Sequence, residues 1–509
     1  MRLPLGTSIV LSLVLALAPP IAAQEGLPED PEASPDPAVH ADAAARRITF
    51  EGEIIQNQGL LEACLCGPNG RTHESLLVAT VPPAAFLEAI ESLGLATAET
   101  WARNERDLFA VQGDKVLLWV DFGDGRRVLV EDLIQNDFEK TPMRRRGWTV
   151  HAKRFERELP EEMEFSLTFK GLRGAALSTL DSPFAYRPFV HATLIARQEA
   201  LPPLETADGH RLHPRVVLVL EPTDEETITR LALGQKGAPP AADPAPFLAA
   251  ARRLDQLKKA YATDVRPLLA RQEDPRAAAR IDVAVLEIEA ASYELEILHE
   301  RRELASIEAA PQSDEWTLGY KRDALGLFEV CRDIAAQELE GARAALGAIE
   351  LAATGNADPD QVRRLELTRD AHRARARAIT KKPDLADAKF QLERASEEMK
   401  AHFGRLVEVV SAEVRLAEKE AEKAETERER IGAAPAAVPA LVAALAEIET
   451  EIEASRAVVR LYELERELGK LRRDLRFYES DGIDDEEKAA EIRARIQELE
   501  ATISSLKTK

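Results

Sequence analysis

The pattern of hydrophobic and polar positions changes character near the middle of the chain. From Arg46 to about Thr223, short apolar runs are separated by Gly, Pro, Asn and Asp, which is typical of β-strands. Strands are predicted at residues 48–55, 75–81, 115–122, 127–130, 148–155, 164–170 and 215–220. One amphipathic helix is predicted at 83–93, ending at Gly94. These elements predict a mixed α+β domain.

Beyond a segment rich in Gly, Pro and Ala at 234–246, the sequence consists mainly of Ala, Glu, Leu and Arg, which is typical of long helices. Helices are predicted at 247–310, 316–352 and 358–430, the last disturbed at Pro383. A helix of about 50 residues would be about 75 Å long. This half of the chain is therefore predicted to be rod-like.

Two runs near the C-terminus have the alternating spacing of four and three that marks a coiled-coil seam. They are Leu461, Leu464, Leu468, Leu471, Leu475 and Tyr478, and then Ile492, Ile496, Leu499, Ile503 and Leu506. The short segment 480–485 between them predicts an antiparallel hairpin. An earlier run, Leu441 to Ile452, is out of phase with the first seam, which predicts a slip between them.

Together these patterns predict a multidomain protein, with an N-terminal α+β domain followed by an all-α region of antiparallel coiled-coil or long-helix type. The predicted boundaries are 1–23 for a signal peptide, 24–45 for a disordered linker, 46–223 for the α+β domain, 224–246 for a second linker and 247–509 for the helical region.

The first 23 residues have the composition of a secretory signal peptide. Arg2 is followed by an apolar run from Ile9 to Ala18, by two prolines, and by small residues before Gln24. The apolar run is shorter than the roughly 20 residues of a spanning helix. The sequence therefore predicts an exported protein of the bacterial periplasm or cell envelope, with no membrane span after cleavage.

The net charge of −23 argues against nucleic acid as the main partner, because nucleic acid is bound through excess Lys and Arg. The local cluster Arg144, Arg145 and Arg146 is interpreted as a solvated strand end rather than a phosphate site. The three cysteines are too few for a disulfide framework in an exported chain.

The most informative chemical feature is the segment 61–75, which holds two of the three cysteines and one of the nine histidines. The turn sequence 67–70 between β-compatible runs predicts a β-hairpin. Antiparallel register would place Cys64 opposite His73, with Cys66 on the same face. Such a face could bind zinc or copper, with Glu62 as a further ligand.

Several interpretations of this segment stay open. Cys64 and Cys66 could be small buried apolar residues, since free cysteine is among the most buried residue types. Thiol redox chemistry, pairing of either thiol with Cys331, and nucleophilic catalysis by Cys64 with His73 are the alternatives to metal binding. A bond between Cys64 and Cys66 is disfavoured, because alternate residues of a strand lie about 6.5 Å apart.

The same segment resembles the YdjY-type domain of bacterial exported proteins. The resemblance is carried by Glu62-x-Cys64 and by His73, Glu74 and Ser75, and extends through Trp119 and Trp148 to residue 222. It covers roughly residues 46–223, and Cys66 departs from the pattern. It implies domain boundaries and an envelope location, and it implies no reaction and no cofactor.

These observations favour a non-enzymatic protein in which an α+β domain is tethered to a coiled-coil rod, for self-association or for spacing protein partners. The competing hypothesis is a metal-binding or thiol-redox protein that uses Cys64, Cys66 and His73. Hydrolysis by His73 and Glu74 is weaker, because adjacent strand residues point to opposite faces.

Overall fold

The computed structural model describes residues 39–59, 61, 63–67, 72–79, 81, 83–95, 114–136, 141–150, 166–168, 175–178, 194–206, 208–240, 243–271, 273–310, 315–480 and 486–507. The predicted signal peptide lies outside the described residues.

The predicted fold class is confirmed. A sheet-rich region over residues 40–223 is followed by closely packed helices over residues 225–507. No helix in the described part of the chain is long and apolar enough to cross a membrane.

The strands are β1 His40–Asp42, β2 Arg47–Ile54, β3 Ala63–Cys66, β4 Ser75–Ala79, β5 Lys115–Asp121, β6 Arg127–Leu129, β7 Ile134–Asn136, β8 Thr141–Pro142, β9 Trp148–Val150, β10 Ser166–Thr168, β11 Ala175–Ser178, β12 Leu194–Ala196 and β13 Arg215–Thr223. Each of the predicted strands is present within the described residues, although parts of the strands predicted at 148–155 and 164–170 lie outside them. The predicted helix is α1, Pro83–Ser92.

Within the described residues, eight strands close into a ring. The order is β2, β13, β5, β9, β11, β10, β3 and β4, and β4 pairs in turn with β2. β1 and β6 extend the ring by pairing with β2 and β5. A second, smaller sheet has the order β12, β7, β8. Closure matters because it leaves fewer free strand edges for pairing with other chains.

The main hydrophobic core of the described sheet region contains side chains from most of the ring strands and from α1. On β2, residues alternate between buried and more exposed positions, and Ile48, Phe50 and Ile54 are buried. The ring of Phe50 packs edge-to-face on that of Phe86 of α1, with centroids 5.3 Å apart. Gly52 is required where β2 passes between its neighbours, because a Cβ there would lie 2.9 Å from the carbonyl oxygen of Val78.

The longer helices are α2 Glu225–Leu233, α3 Ala245–Ala260, α4 Pro275–Ala309, α5 Glu315–Ala352, α6 Pro359–Arg394, α7 Glu397–Arg430, α8 Val438–Ser480 and α9 Glu486–Lys507. The prediction of one helix over 358–430 disturbed at Pro383 is wrong in detail. Pro383 lies inside α6, and the break comes at Ala395 and Ser396, which have extended backbone. A proline removes a single hydrogen-bond donor, which the rest of a 36-residue helix tolerates.

The antiparallel hairpin of α8 and α9 is confirmed. The predicted seams pack on each other, with Leu464 and Leu468 against Ile496 and Leu499. Ion pairs cross the hairpin from Arg472 to Glu500 at 2.6 Å, from Arg495 to Glu467 at 3.0 Å and from Lys507 to Glu465 at 2.8 Å.

The predicted slip marks a change of partner and not a break in the helix. α8 is continuous over 43 residues. Upstream of the slip, Ile452 lines a groove with Leu367 of α6 and Ala424 of α7, whereas downstream the seam contacts α9. One helix therefore presents two apolar faces in succession.

Both predicted linkers contain regular structure. Residues 40–42 of the first form β1. Within the second, Asp224 caps α2 by accepting a hydrogen bond from the backbone N–H of Thr227 at 2.7 Å. The carboxylate of Asp255 on α3 accepts hydrogen bonds from the N–H groups of Glu225 and Glu226. These contacts order a segment whose composition suggests a loop.

By contact density the described residues fall into two compact units. One holds residues 39–271 and 284–329, and the other holds 273–283 and 330–507. The first unit therefore contains helical residues in addition to the sheets.

Candidate functional site

The Cys-His segment does not form the predicted antiparallel hairpin. β3 and β4 pair in parallel, with Ala63 opposite Ser75 and Leu65 opposite Leu77. On its other side, β3 pairs with β10 and β4 pairs with β2, and both of these pairings are antiparallel. His73 lies in a 3-10 turn, Thr72–Glu74, before β4 begins. The register that would have placed His73 opposite Cys64 does not exist.

The structure separates the predicted site residues by burial. Cys64, Cys66 and Ser75 have no exposed surface, whereas His73 is exposed. Cys64 belongs to the main core, and Cys66 packs with Ile55 and Val78. Glu62 and the side chain of Glu74 lie outside the described residues.

The cysteines have the environment of buried apolar side chains. Cys64, Cys66 and Cys331 are all buried, and none of the three forms a disulfide. Burial raises the pKa of the Cys64 thiol well above its usual value, and the charges of Glu131 and Cys66 raise it further. A thiol is nucleophilic and metal-binding as the thiolate. Among the described residues, no group of three or more His, Cys, Asp and Glu side chains could hold a metal ion.

A second set of ionisable residues is brought together by the fold and was not predicted. We call it the charged cluster, and it consists of Arg144, Arg146, Glu296, Glu300, Glu303 and Lys321. The arginines come from the loop between β8 and β9, the glutamates from α4 and the lysine from α5. All six residues belong to the same compact unit.

The glutamates share one face of α4 because their spacing of four and then three residues matches the helical repeat. Arg144 contacts all three. Its Nη1 atom lies 3.0 Å from Glu303 Oε1 and 3.4 Å from Glu300 Oε1, and its Nη2 atom contacts Glu296. Its side chain is only 10% exposed. One guanidinium group therefore spans two turns of α4.

Lys321 and Arg146 complete the charge balance of the charged cluster. Lys321 Nζ lies 3.0 Å from Glu300 Oε2 and 2.5 Å from Glu303 Oε2. Arg146 Nη1 lies 3.2 Å from Glu296 Oε2. Three cationic side chains thus face three carboxylates, and Lys321 and Glu300 are each 5% exposed.

The pKa shifts follow from this pairing. Burial alone would raise the pKa of Glu303, but Lys321 and Arg144 hold it well below its usual value. Burial would also raise the pKa of Glu296, but Arg144 and Arg146 hold it below its usual value. His299 lies in the same surroundings, and burial together with the charge of Arg144 lowers its pKa to about 3. His299 is therefore neutral at physiological pH.

The loop that carries the arginines is fixed by its own contacts. Arg145 Nη2 lies 2.6 Å from Asp132 Oδ2, and Arg145 Nη1 donates a hydrogen bond to the carbonyl oxygen of Leu231 at 3.0 Å. Gln235 donates to both Asp132 and the carbonyl oxygen of Met143. Gly147 ends the loop with a φ of +62°, a conformation that favours glycine.

The chemistry of the charged cluster is that of an internal ion-pair network. Its carboxylates and cations are directed at each other, so the cluster joins the β8–β9 loop to α4 and α5. The interpretation of Arg144 to Arg146 as a solvated strand end is wrong, because glutamates of α4 cover Arg144 and Arg146 and Asp132 pairs with Arg145. The sequence signal available was the spacing of Glu296, Glu300 and Glu303 in a helix otherwise rich in buried Ile, Leu and Ala.

A further ionisable residue, Glu131, lies in the core of the sheet region. It belongs to a 3-10 turn, Val130–Leu133, between β6 and β7, and it has no exposed surface. Among the described residues, neither of its carboxyl oxygens has a hydrogen-bond partner. Burial raises its pKa to about 7. Sequence reasoning missed Glu131 because it is followed by Asp132 in an ordinary surface-like pair.

No protein-family model, no curated protein and no solved structure matches this chain.

Proposed function

We propose that this is a non-enzymatic exported protein of the bacterial cell envelope, in which an α+β domain is tethered to a coiled-coil region that mediates self-association or spaces protein partners. The observation that carries the proposal is the antiparallel array of long helices from α6 to α9. The resemblance of residues 46–223 to the YdjY-type domain and the composition of residues 1–23 support the envelope location.

The helical array is built from contacts between helices that are consecutive in the chain. α6 and α7 are joined by ion pairs from Arg377 to Glu420 at 2.6 Å and from Lys381 to Glu413 at 2.9 Å. α7 and α8 are joined by Lys423 with Glu449 at 2.7 Å and by Arg405 with Glu465 at 3.3 Å. In each pair, residue numbers rise along one helix as they fall along the other, so the helices are antiparallel. α8 alone is about 65 Å long, since its 43 residues rise 1.5 Å each.

The surface of this array supports self-association. Met399, Val442 and Phe477 are large apolar side chains of α7 and α8 that are 43%, 46% and 52% exposed. Exposed apolar side chains on long helices are the groups that a second helical partner would cover.

The charged cluster supports the tethering part of the proposal. The cluster joins the β8–β9 loop of the α+β domain to the first long helices that follow it, within one compact unit. Arg144 supplies such a link, because it is paired with three glutamates of α4 in a largely buried setting.

Sedimentation velocity over a range of concentrations tests self-association. We expect the full mature chain to sediment as an extended, concentration-dependent oligomer. Replacing Met399, Val442 and Phe477 with Gln should weaken association at least tenfold. The matched control replaces Leu212 and Val217, which are each 38% exposed in the sheet region, and it should associate as the wild type does. A compact monomer with a low frictional ratio at every concentration would contradict the proposal.

Export is tested by expressing the full chain in a Gram-negative bacterium and sequencing the N-terminus of the product from the periplasmic and envelope fractions. We expect a mature chain that begins at Gln24. A product that stays in the cytoplasm and keeps Met1 would contradict the envelope location.

A further inference from the structure

The buried carboxyl group of Glu131 has no role in the proposed function, and its surroundings are unusual for a glutamate. The flanking residues Val130 and Leu133 belong to the main core of the sheet region, and both are almost completely buried. Cys64 of β3 belongs to the same core and is close enough for the charge of Glu131 to act on its thiol. The carboxyl group is therefore buried beside the apolar core of the sheet region.

The charged and titratable groups that face Glu131 do not neutralise it. Cys64 on β3 is a neutral thiol, and Asp132 on the same turn is a second acid that opposes ionisation of Glu131. Arg145, on the loop before β9, is the favourable charge, but its guanidinium group forms its ion pair with Asp132. The backbone N–H groups of Glu131 and Gly147 favour the charged form without reaching hydrogen-bond geometry.

A carboxylate in such a setting is costly, whereas a neutral carboxylic acid is tolerated. We propose that Glu131 is a proton-dependent lock on the sheet region, in which the protonated carboxyl group stays buried and loss of its proton releases the turn Val130–Leu133 from the core. This inference holds whether or not the helical region associates.

Opening of the turn Val130–Leu133 would also affect the β8–β9 loop. Asp132 leaves the core beside Glu131 and holds Arg145, and Arg145 stands between Arg144 and Arg146 of the charged cluster. Release of the turn would loosen the contact of Asp132 with Arg145, and through it the loop that binds α4. The ionisation state of one buried group would thereby set the order of the β8–β9 loop.

The direction of the effect follows from proton binding. Because the pKa of Glu131 is higher in the folded protein than in an opened one, the closed form binds more protons. The closed form is fully favoured below the ordinary carboxyl pKa. The stability of the closed form relative to the opened form falls progressively as the pH rises toward about 7. Above that value this stability changes no further.

Hydrogen exchange of the full chain, followed by mass spectrometry and corrected for the intrinsic pH dependence of exchange, tests the lock. We expect the protection of amides in 130–133 to fall by up to roughly tenfold per pH unit between about pH 5 and pH 7. In Glu131→Gln the protection should be independent of pH. The control Glu221→Gln removes a partly exposed carboxylate of β13 that is paired with Arg127, and it should keep the wild-type slope.

Protection of the wild type that does not change with pH, or the same slope in Glu131→Gln as in the wild type, would overturn the proposal. Infrared spectroscopy of the wild type keeps the test independent of the folding of the variant. We expect a protonated carboxyl band that disappears with a midpoint near pH 7, where exposed carboxyl groups have already ionised. The absence of any such band above pH 6 would equally overturn it.

Discussion

The sheet region and the helical array are stabilised by contacts of very different range along the chain. In the sheet region, β2 pairs with β13, so that Gly52 lies opposite Val216. In the helical array, each helix packs on the next one, and only residues 481–485 separate α8 from α9. The ring of strands therefore depends on its last strand, whereas the array is assembled from neighbouring pieces whose contacts are nearly independent.

The two regions also place the same kind of ion pair at different depths. In the charged cluster the side chains of Arg144, Glu300 and Lys321 are at most 10% exposed. The pair of Arg472 with Glu500 in the α8–α9 hairpin is 57% and 46% exposed. Exposed pairs contribute little because water and salt screen them, whereas loss of one partner of a buried pair leaves an uncompensated charge.

The largest effect is expected from Arg144→Met, which keeps much of the side-chain length and removes the charge. Glu296, Glu300 and Glu303 would lose their common partner, and the free energy of unfolding of this unit should fall by about 3–5 kcal/mol. Denaturant unfolding followed by hydrogen exchange of peptides in α4 measures it. A change below 1 kcal/mol would show that the depth of the charged cluster does not separate it from the exposed pairs.

A loss of similar or slightly smaller size is expected from Leu218→Ala in β13, whose side chain is fully buried in the ring of strands. Leucine-to-alanine substitutions in cores cost about 2–5 kcal/mol. Since the ring is closed, the loss of protection should extend to β2 and β5, the two strands that pair with β13. Protection lost only at β13 itself would contradict the cooperative behaviour of the ring.

The same substitution in the helical array, Leu499→Ala, sharpens the comparison. Leu499 is 2% exposed in the seam between α8 and α9. We expect a loss of about 2–3 kcal/mol that is confined to these two helices, with β2 and β13 unchanged. Loss of hydrogen-exchange protection in the sheet region would show that the two regions unfold together.

The smallest effect is expected from Arg472→Met, the exposed counterpart of Arg144→Met. Removing this pair should change the free energy of unfolding by less than about 1 kcal/mol, and the change should shrink further at high salt. Unfolding measured at low and at 1 M salt checks it. A loss comparable to that in Arg144→Met would contradict the argument from burial.

The candidate site shows where sequence reasoning ends. The β-compatible run before residue 67 correctly indicated a strand, which is β3, whereas most of the turn signal at 67–70 lies outside the described residues. The hairpin was nevertheless wrong, because a turn signal fixes where the chain bends and not which strand it joins. β10, about 100 residues later, occupies the side of β3 opposite β4, and no local pattern reports such a partner.

The charged cluster could not be predicted from the sequence, because its members are also distant in the chain. Arg144 and Glu300 are 156 residues apart, and either one alone has the pattern of a solvated surface residue. Glu131 was missed for another reason. Its burial is set by the core around Val130 and Leu133, whereas a charged glutamate is expected from sequence to be exposed.

The sequence by itself determined the elements that depend on periodicity: the change from strands to helices, α5 almost to the residue, and the α8–α9 hairpin with its seams. These features are local, since side chains three, four or two positions apart share a face whatever the rest of the chain does. The tertiary structure alone decided the closed ring of strands, the parallel pairing of β3 with β4, the charged cluster and the burial of Glu131. Each of these depends on contacts between residues distant in the chain, where the free energy is set by which surfaces meet and by how far water is excluded from their charges.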